Sequence, residues 1–215
     1  MAEDVLLIAN NLSCERDDRL LFQALCLSVS AGQILQIEGP NGSGKTTLLR
    51  LLAGLMQPQD GEICWKGSPI ADLGADYLQD ILYLGHRTGI KTSLSPLENL
   101  RIWCALRRPK DDAALLRALA TVRLHGFETV PCAQLSAGQQ RRAALARLLV
   151  ADATLWILDE AFTAIDRQGV EELEALILRK AAAGGAVILT THHLLNLGEA
   201  SGTLHLGSRA AGGRV

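Results

Sequence analysis

The chain of 215 residues, 48% of them apolar and 20% charged, holds enough hydrophobic matter for a core in one domain, or in one domain with a subdomain. That composition excludes a disordered tail and a small disulfide scaffold. With 21 Lys and Arg against 23 Asp and Glu, the net charge of −2 supplies no global cationic field to draw nucleic acid or an anionic membrane.

In chain order, residues 5–8, 20–29 and 34–38 read as strands, parted by the charged turn 15–19 and by Ala31-Gly32. A helix follows Lys45, with Leu48, Leu51, Leu52 and Leu55 at helical spacing and Gly54 and Pro58 as its stop. Asp60-Gly61 opens a short extended piece over 62–66, and the apolar run 81–84 fits a buried strand. Residues 95–124 read as helical, divided by Arg107-Arg108-Pro109-Lys110, and form an insert. Then come a helix over 139–150, a strand over 155–158, a helix over 170–182, a strand over 187–190 and a weak strand over 203–206. Strands alternating with helices predict a parallel sheet covered on both faces, with the helical segment as a side lobe and a frayed tail over 209–215.

Residues 20–37 and 181–198 each lack Asp, Glu, Lys and Arg, but Gln23, Ser28, Gln33 and Gln36 in the first and Thr190, Thr191, His192, His193 and Asn196 in the second are costly in lipid. Neither is expected to span a membrane. The acidic start Met1-Ala2-Glu3-Asp4 is unlike a basic secretion leader, so a soluble protein kept in the cytosol is expected. Cys14, Cys26, Cys64, Cys104 and Cys132 show no metal-ligand spacing, which predicts reduced thiols and no structural zinc.

Gly39-Pro40-Asn41-Gly42-Ser43-Gly44-Lys45-Thr46-Thr47 fits G-x-x-x-x-G-K-[ST] between a predicted strand and a predicted helix. Glycines let the backbone wrap a phosphate with several N–H groups pointing inward, and the helix start adds partial positive charge. Lys45 is expected to reach the outer phosphates and the Thr46 hydroxyl to ligate Mg²⁺. Further on, Leu155-Trp156-Ile157-Leu158-Asp159-Glu160 is an apolar strand ending in two carboxylates, directed at the ligand crevice of a parallel sheet. Asp159 is expected to hold Mg²⁺ and Glu160 to polarise an attacking water, so the pair points to hydrolysis.

Leu135-Ser136-Ala137-Gly138-Gln139, followed by Gln140-Arg141-Arg142, stands between those two motifs and resembles the signature of the ATP-binding cassette (ABC) ATPases. The Ser136 hydroxyl and the N–H groups near Gly138 and Gln139 suit an anion at a helix start. Glycine is usual in the family where Ala137 stands. The resemblance covers nearly the whole chain and implies an α/β fold: a P-loop NTPase cassette with a mixed or parallel core sheet, an N-terminal antiparallel β subdomain and a helical side lobe. It implies one domain over 1–215, with 1–86 and 139–215 as core and about 87–138 as the helical subdomain. It also implies ATP and Mg²⁺ as cofactors, and His192 as the switch histidine at the terminal phosphate; His193 is given no role. Asp166 is either a residue that communicates across a dimer or the start of the next helix. Two cassettes sandwich two nucleotides in this family, so a homodimer is implied, each copy supplying halves of different sites.

Two positions depart from the family pattern. No aromatic occurs near 14–16 to stack on adenine; Arg16 either stacks by its guanidinium plane or is an exposed turn residue. His86, with Arg87 beside it, stands where the family has a glutamine near Mg²⁺ and the attacking water. A neutral imidazole suits a hydrogen bond to the water better than binding the ion, and His86 is expected to link the site to the helical lobe unless it is structural.

Tyr83-Leu84-Gly85-His86-Arg87-Thr88-Gly89-Ile90-Lys91, continuing through Glu98-Asn99-Leu100 to Trp103, together with Arg19-Leu20-Leu21-Phe22, is similar to the ATP-binding subunits of cytochrome c maturation systems, described as haem exporters. That resemblance implies an ATPase peripheral to the cytoplasmic face of the bacterial inner membrane. Its implied partners are a CcmB-like integral membrane subunit and CcmC-, CcmD- and CcmE-like haem-handling proteins. ATP hydrolysis would drive haem export or release of the haem-loaded periplasmic chaperone. Residues 88–106, including Ile90, Leu94, Leu97, Ile102 and Trp103, form either a docking groove or the lobe's own core. The alternatives are a cassette for another small substrate and a soluble mechanical ABC ATPase; no coiled coil, tandem cassette or basic stripe supports the latter, and no nucleic-acid partner is expected.

Overall fold

A computed structural model describes residues 4–16, 19–198 and 201–207. The tail 209–215, residues 1–3 of the acidic start and the centre of the charged turn, 17–18, lie outside the described residues. The N-terminal third builds β1 (Val5–Arg16), β2 (Arg19–Ser30) and β3 (Ile34–Glu38). β1 runs well past the expected 5–8, because Asn10, Asn11 and Ser13 break the alternation that marks a strand. The pairing with β2 slips between Ala9 and Leu12, and Asn11 there adopts φ 51. This bulge inserts one residue and returns Leu12 and Cys14 to the buried face.

α1 (Lys45–Leu52) buries Leu48, Leu49, Leu51 and Leu52 completely, each worth about 2–3 kcal/mol of apolar transfer. β4 (Asp60–Trp65) then pairs with β1, and Ser68–Pro69 adds β5. The next segment, α2 (Ile70–Leu73) and α3 (Ala75–Asp80), is not foreseen from the sequence: single turns punctuated by Gly74 carry too little periodicity. Its anchor is Tyr77, 2% exposed, whose hydroxyl donates to the Leu52 carbonyl while its ring meets Trp65 edge-on at 5.7 Å.

Asp80 accepts from Trp65 Nε1 and Lys66 Nζ, both at 2.9 Å. Burial pushes its carboxyl up, but these donors and the positive charges of Lys66 and Arg108 outweigh it and hold the pKa below the ordinary value. A depressed acid stabilises the fold above its unfolded pKa and loses that contribution as pH falls through the folded one. Asp80→Asn is therefore expected to cost about 1 kcal/mol at pH 7. Urea denaturation should show the gap from the native protein closing below about pH 3.9, the unfolded value.

β6 (Ile81–Leu84) leads to the helical lobe, α4 (Pro96–Ala105) and α5 (Asp112–Thr121). Ser95 and Glu98 form a reciprocal capping box on α4, and Asp111 caps α5. Leu97, Leu100, Leu115 and Leu119 pack with Ala143 of α6 (Ala137–Leu145), Val150 of α7 (Arg147–Val150) and Ala146 between them, so the lobe's core draws on both sides of residue 138. The single helix expected over 139–150 divides at Ala146. Of the apolar residues in 88–106, Leu97 is core, whereas Ile102 is 43% exposed.

β7 (Leu155–Asp159), α8 (Arg167–Ala182), β8 (Ala186–Thr190) and β9 (Ser201–His205) complete the chain. The first sheet, β2-β1-β4-β5, is antiparallel throughout. The second, β6-β7-β8-β3-β9, is parallel throughout rather than mixed. Alternate residues of β3, β7 and β8 serve opposite cores: Leu35, Ile157 and Ile188 face the α1 side, and Ile34, Leu158 and Leu189 face the α8 side. The charge-free run 20–37 is thus spent on strands, and among the described residues no helix is long and apolar enough to cross a membrane. All five cysteines are free, with Cys14, Cys104 and Cys132 buried.

Candidate functional site

The chain leaves β3 at Glu38, turns through residues 39–44 and enters α1 at Lys45, with Gly44 as the left-handed cap at φ 97. Lys45 Nζ donates to the carbonyls of Gly39 at 2.6 Å and Pro40 at 3.2 Å, which folds its ammonium back over the loop. Asn41, Gly42, Gly44, Lys45, Thr46 and Thr47 line a cleft of about 720 Å³. Gly39, Pro40 and Ser43 are not among its lining residues, and the buried Ser43 Oγ has no hydrogen-bond partner.

Parallel pairing of β7 with β8 sets Asp159 opposite Thr190 at the C-terminal edge of the sheet. Asp159 is 1% exposed; its Oδ1 accepts from Thr190 Oγ1 at 2.9 Å, and its buried Oδ2 has no partner. The next residue, Glu160, is held at φ 54, a left-handed conformation costing a non-glycine residue about 1–3 kcal/mol. Its N–H donates to the Thr190 carbonyl at 3.2 Å and to Thr190 Oγ1 at 3.1 Å. His192 Nε2 stands 3.3 Å from Glu160 Oε1. Asp159, Glu160 and His192 line the same cleft as the loop, and so do Arg16 and His86.

His86 also lines an adjoining cavity of about 360 Å³ with Tyr83, Arg50 and Arg147. Burial, then the Asp159 charge, raises the Tyr83 phenol above its ordinary pKa, against the pull of Arg50. His193, given no role from sequence, tilts against Phe162 with ring centroids 6.0 Å apart.

The signature residues stand apart from the cleft. Ser136 caps α6, its Oγ accepting from the Gln139 N–H at 3.2 Å while Gln139 Oε1 accepts from the Ser136 N–H at 2.9 Å. Accepting that bond leaves the Ser136 O–H free to donate to an anion. Gly138 lies so close to the following loop that a Cβ there would sit 3.2 Å from the Ala164 carbonyl oxygen. Asp166 caps α8 through the Gly169 N–H at 3.0 Å and accepts from Arg142 at 2.8 Å. Those bonds, the Gly169 one first, hold its carboxyl below the ordinary range and make it the cap that starts α8.

Sequence reasoning missed Thr190, Arg141, Arg19, Leu21 and Thr163. Thr190 reads as a polar interruption of an apolar run, but its register partner Asp159 gives it the site's central hydrogen bonds. Thr163 lines the cleft, as do Arg19 and Leu21, which the sequence marks only through a resemblance and gives no role in a site. Arg141, one residue beyond Gln140 in the signature helix, is 3% exposed, a burial invisible in a surface-like Gln140-Arg141-Arg142 string.

The described residues contain no group of three or more His, Cys, Asp and Glu arranged to hold a metal. A hydroxyl and a single carboxylate do fit Mg²⁺, which retains waters and takes substrate phosphate oxygens as further ligands. Thr46 and Asp159, with its orphaned Oδ2, offer such a donor pair in one cleft.

The ABC transporter family model matches residues 22–163. The chain is 57% identical over 203 residues to the cytochrome c biogenesis ATP-binding export protein CcmA of Hahella chejuensis, covering 94% of this chain and 96% of that one. It is 56% identical over 188 residues to the protein of the same name from Vibrio cholerae, covering 87% and 91%. An ABC transporter ATP-binding protein of Pyrococcus furiosus superposes with a TM-score of 0.79 at 26% identity, over 92% of this chain and 96% of its own. A dimeric post-hydrolysis ATP-binding cassette bound to ADP and phosphate shares the fold, with a TM-score of 0.81 at 24% identity over 94% of each chain. With its phosphate loop, signature and acidic strand end carried in order on the cassette's two sheets, the chain belongs to the ABC transporter family and, within it, to the CcmA group of ATP-binding subunits.

Proposed function

We propose that this ATPase is the energy-supplying subunit of a cytochrome c biogenesis complex, where hydrolysis drives haem export or release of the haem-loaded periplasmic chaperone. The observation that carries this reading is likeness over nearly the full length, 57% identity across 94% of the chain, to a protein named for that process.

In this reading the loop N–H groups of 41–47 and Lys45 hold the ATP phosphates, Thr46 and Asp159 hold Mg²⁺, and Arg16 stands beside the base. Bound Mg²⁺ would neutralise charge on the β- and γ-phosphate oxygens. Glu160 accepts a proton from water as the water oxygen attacks the γ-phosphorus; the bond to the bridging oxygen breaks, giving ADP and phosphate. His192, beside Glu160, hydrogen-bonds the terminal phosphate, and His86 hydrogen-bonds the water. Ser136, Gly138 and Gln139 lie away from the cleft, which suits a homodimer in which each signature meets the partner's nucleotide. Closure around ATP and parting after hydrolysis would be felt by a CcmB-like membrane subunit through the helical lobe, about 87–138. CcmC-, CcmD- and CcmE-like proteins would handle the haem, with the ATPase peripheral to the cytoplasmic face of the inner membrane.

Co-expression with a CcmB-like subunit tests this. Both the native chain and Lys45→Ala should fractionate with membranes, while only the native chain supports turnover of the haem-loaded chaperone. Losing one charge-assisted anchor weakens ATP binding by roughly 10- to 100-fold. Chaperone turnover that is indifferent to Lys45→Ala would rule the reading out.

A further inference from the structure

Arg141 spends one guanidinium on three carbonyls from two separate loops. Its Nη2 donates to the Glu160 carbonyl at 2.6 Å, its Nε to the Ala161 carbonyl at 3.1 Å and its Nη1 to the Gly85 carbonyl at 3.2 Å. The side chain is only 3% exposed. Burying a cation there is costly unless its donors are used. Burial holds its pKa below the ordinary value, against the opposing pull of the Asp159 and Glu160 charges.

Each acceptor sits beside a residue of the hydrolytic reading. Gly85 precedes His86. Glu160 is itself the proton acceptor of that reading, and its backbone is left-handed at φ 54. Thr190 accepts from its N–H and Arg141 donates to its carbonyl, so the peptides on both sides of the Glu160 Cα are held. A strained backbone of this kind persists only when its surroundings over-determine it. A planar fork of five donors can reach three carbonyls at fixed mutual angles, which an ammonium or an amide cannot reproduce.

We propose that Arg141 is a positioning residue of ATP hydrolysis: from the signature helix, its guanidinium sets the carboxylate of Glu160 and the loop of His86 in one arrangement. The proposal rests on the reading of Glu160 as the base. It also makes the helix that bears Ser136 and Gly138 a direct support of this chain's own hydrolytic residues.

The test is a double-mutant cycle on the full chain co-purified with its membrane subunit, using Arg141→Gln and Arg141→Lys in the native and Glu160→Gln backgrounds. A displacement of about 1 Å at a reacting group costs on the order of 10²-fold. Arg141→Gln is therefore expected to lower kcat by roughly 10- to 100-fold with KM for ATP within about threefold, and Arg141→Lys to fall between it and the native protein. In the Glu160→Gln background, single-turnover rates should drop by clearly less than in the native background on adding either change, because one of the two groups being positioned is already gone and only the loop of His86 is left to be displaced. An equal loss in both backgrounds overturns the proposal, as does an unchanged kcat or a loss confined to KM. If Arg141→Gln does not fold, Arg141→Lys carries the same cycle. Native turnover in Glu160→Gln alone sinks the base assignment and this proposal with it. A normal Glu160→Gln defect combined with a multiplicative Arg141 loss sinks this proposal alone.

Discussion

Replacing Glu160 by Gln is expected to leave ATP binding within about threefold of the native protein and to lower turnover by ~10² or more, the scale of a general base. The substitution isolates proton acceptance because the surrounding framework does not depend on the carboxylate. The left-handed backbone at 160 is held by its own N–H on Thr190 and its own carbonyl on Arg141, and both bonds survive in the amide. The contact from His192 Nε2, 3.3 Å from Oε1, also has an acceptor in glutamine. In the proposed arrangement the phosphates lie at the Lys45 loop and Glu160 reaches them from a different strand end, so affinity and chemistry should separate. Steady-state phosphate release and equilibrium binding of ATP measure the two quantities independently. Turnover at the native rate would remove Glu160 from the chemistry.

The parallel sheet and its ligand edge are legible in the sequence because buried strands are continuous apolar runs, and a carboxylate ending such a run is seldom placed there by packing. The runs read as strands over 34–38, 155–158 and 187–190 all lie in strands, the last two extended by one residue each, at Asp159 and Ala186. What fails is whatever depends on register or on a few residues. The bulge at Asn11 restores a buried face that no alternation rule follows, and α2 and α3 are too short for a period to show. In the site, motif residues could be named one at a time, but the residues joining them could not. Thr190 acquires its role from lying opposite Asp159, and Arg141 from being buried against a loop 19 residues ahead. Those are facts of tertiary register, which a string of residue types does not encode.

Gly39→Ala should be far more damaging than Gly67→Ala, at about 2–4 kcal/mol of stability against about 1 kcal/mol. Both glycines have positive φ, 148 and 84, so each substitution carries conformational strain. Only at Gly39 is there also a collision: a Cβ would stand 2.4 Å from the Leu206 carbonyl oxygen and 2.8 Å from Ser43 Oγ, whereas nothing lies within 4 Å of one at Gly67. The Ser43 hydroxyl can rotate away, but the Leu206 backbone is tied down by its N–H, which donates to the Glu38 carbonyl at 2.8 Å. The first residue of the phosphate loop must therefore move instead, and with it the carbonyl that anchors Lys45 at 2.6 Å. ATP affinity should fall together with stability in Gly39→Ala and remain native in Gly67→Ala. Urea denaturation and ATP titration of both variants separate strain from collision. Equal stability losses at the two positions would mean that the chain end following β9 yields easily, and that the loop is not braced against it.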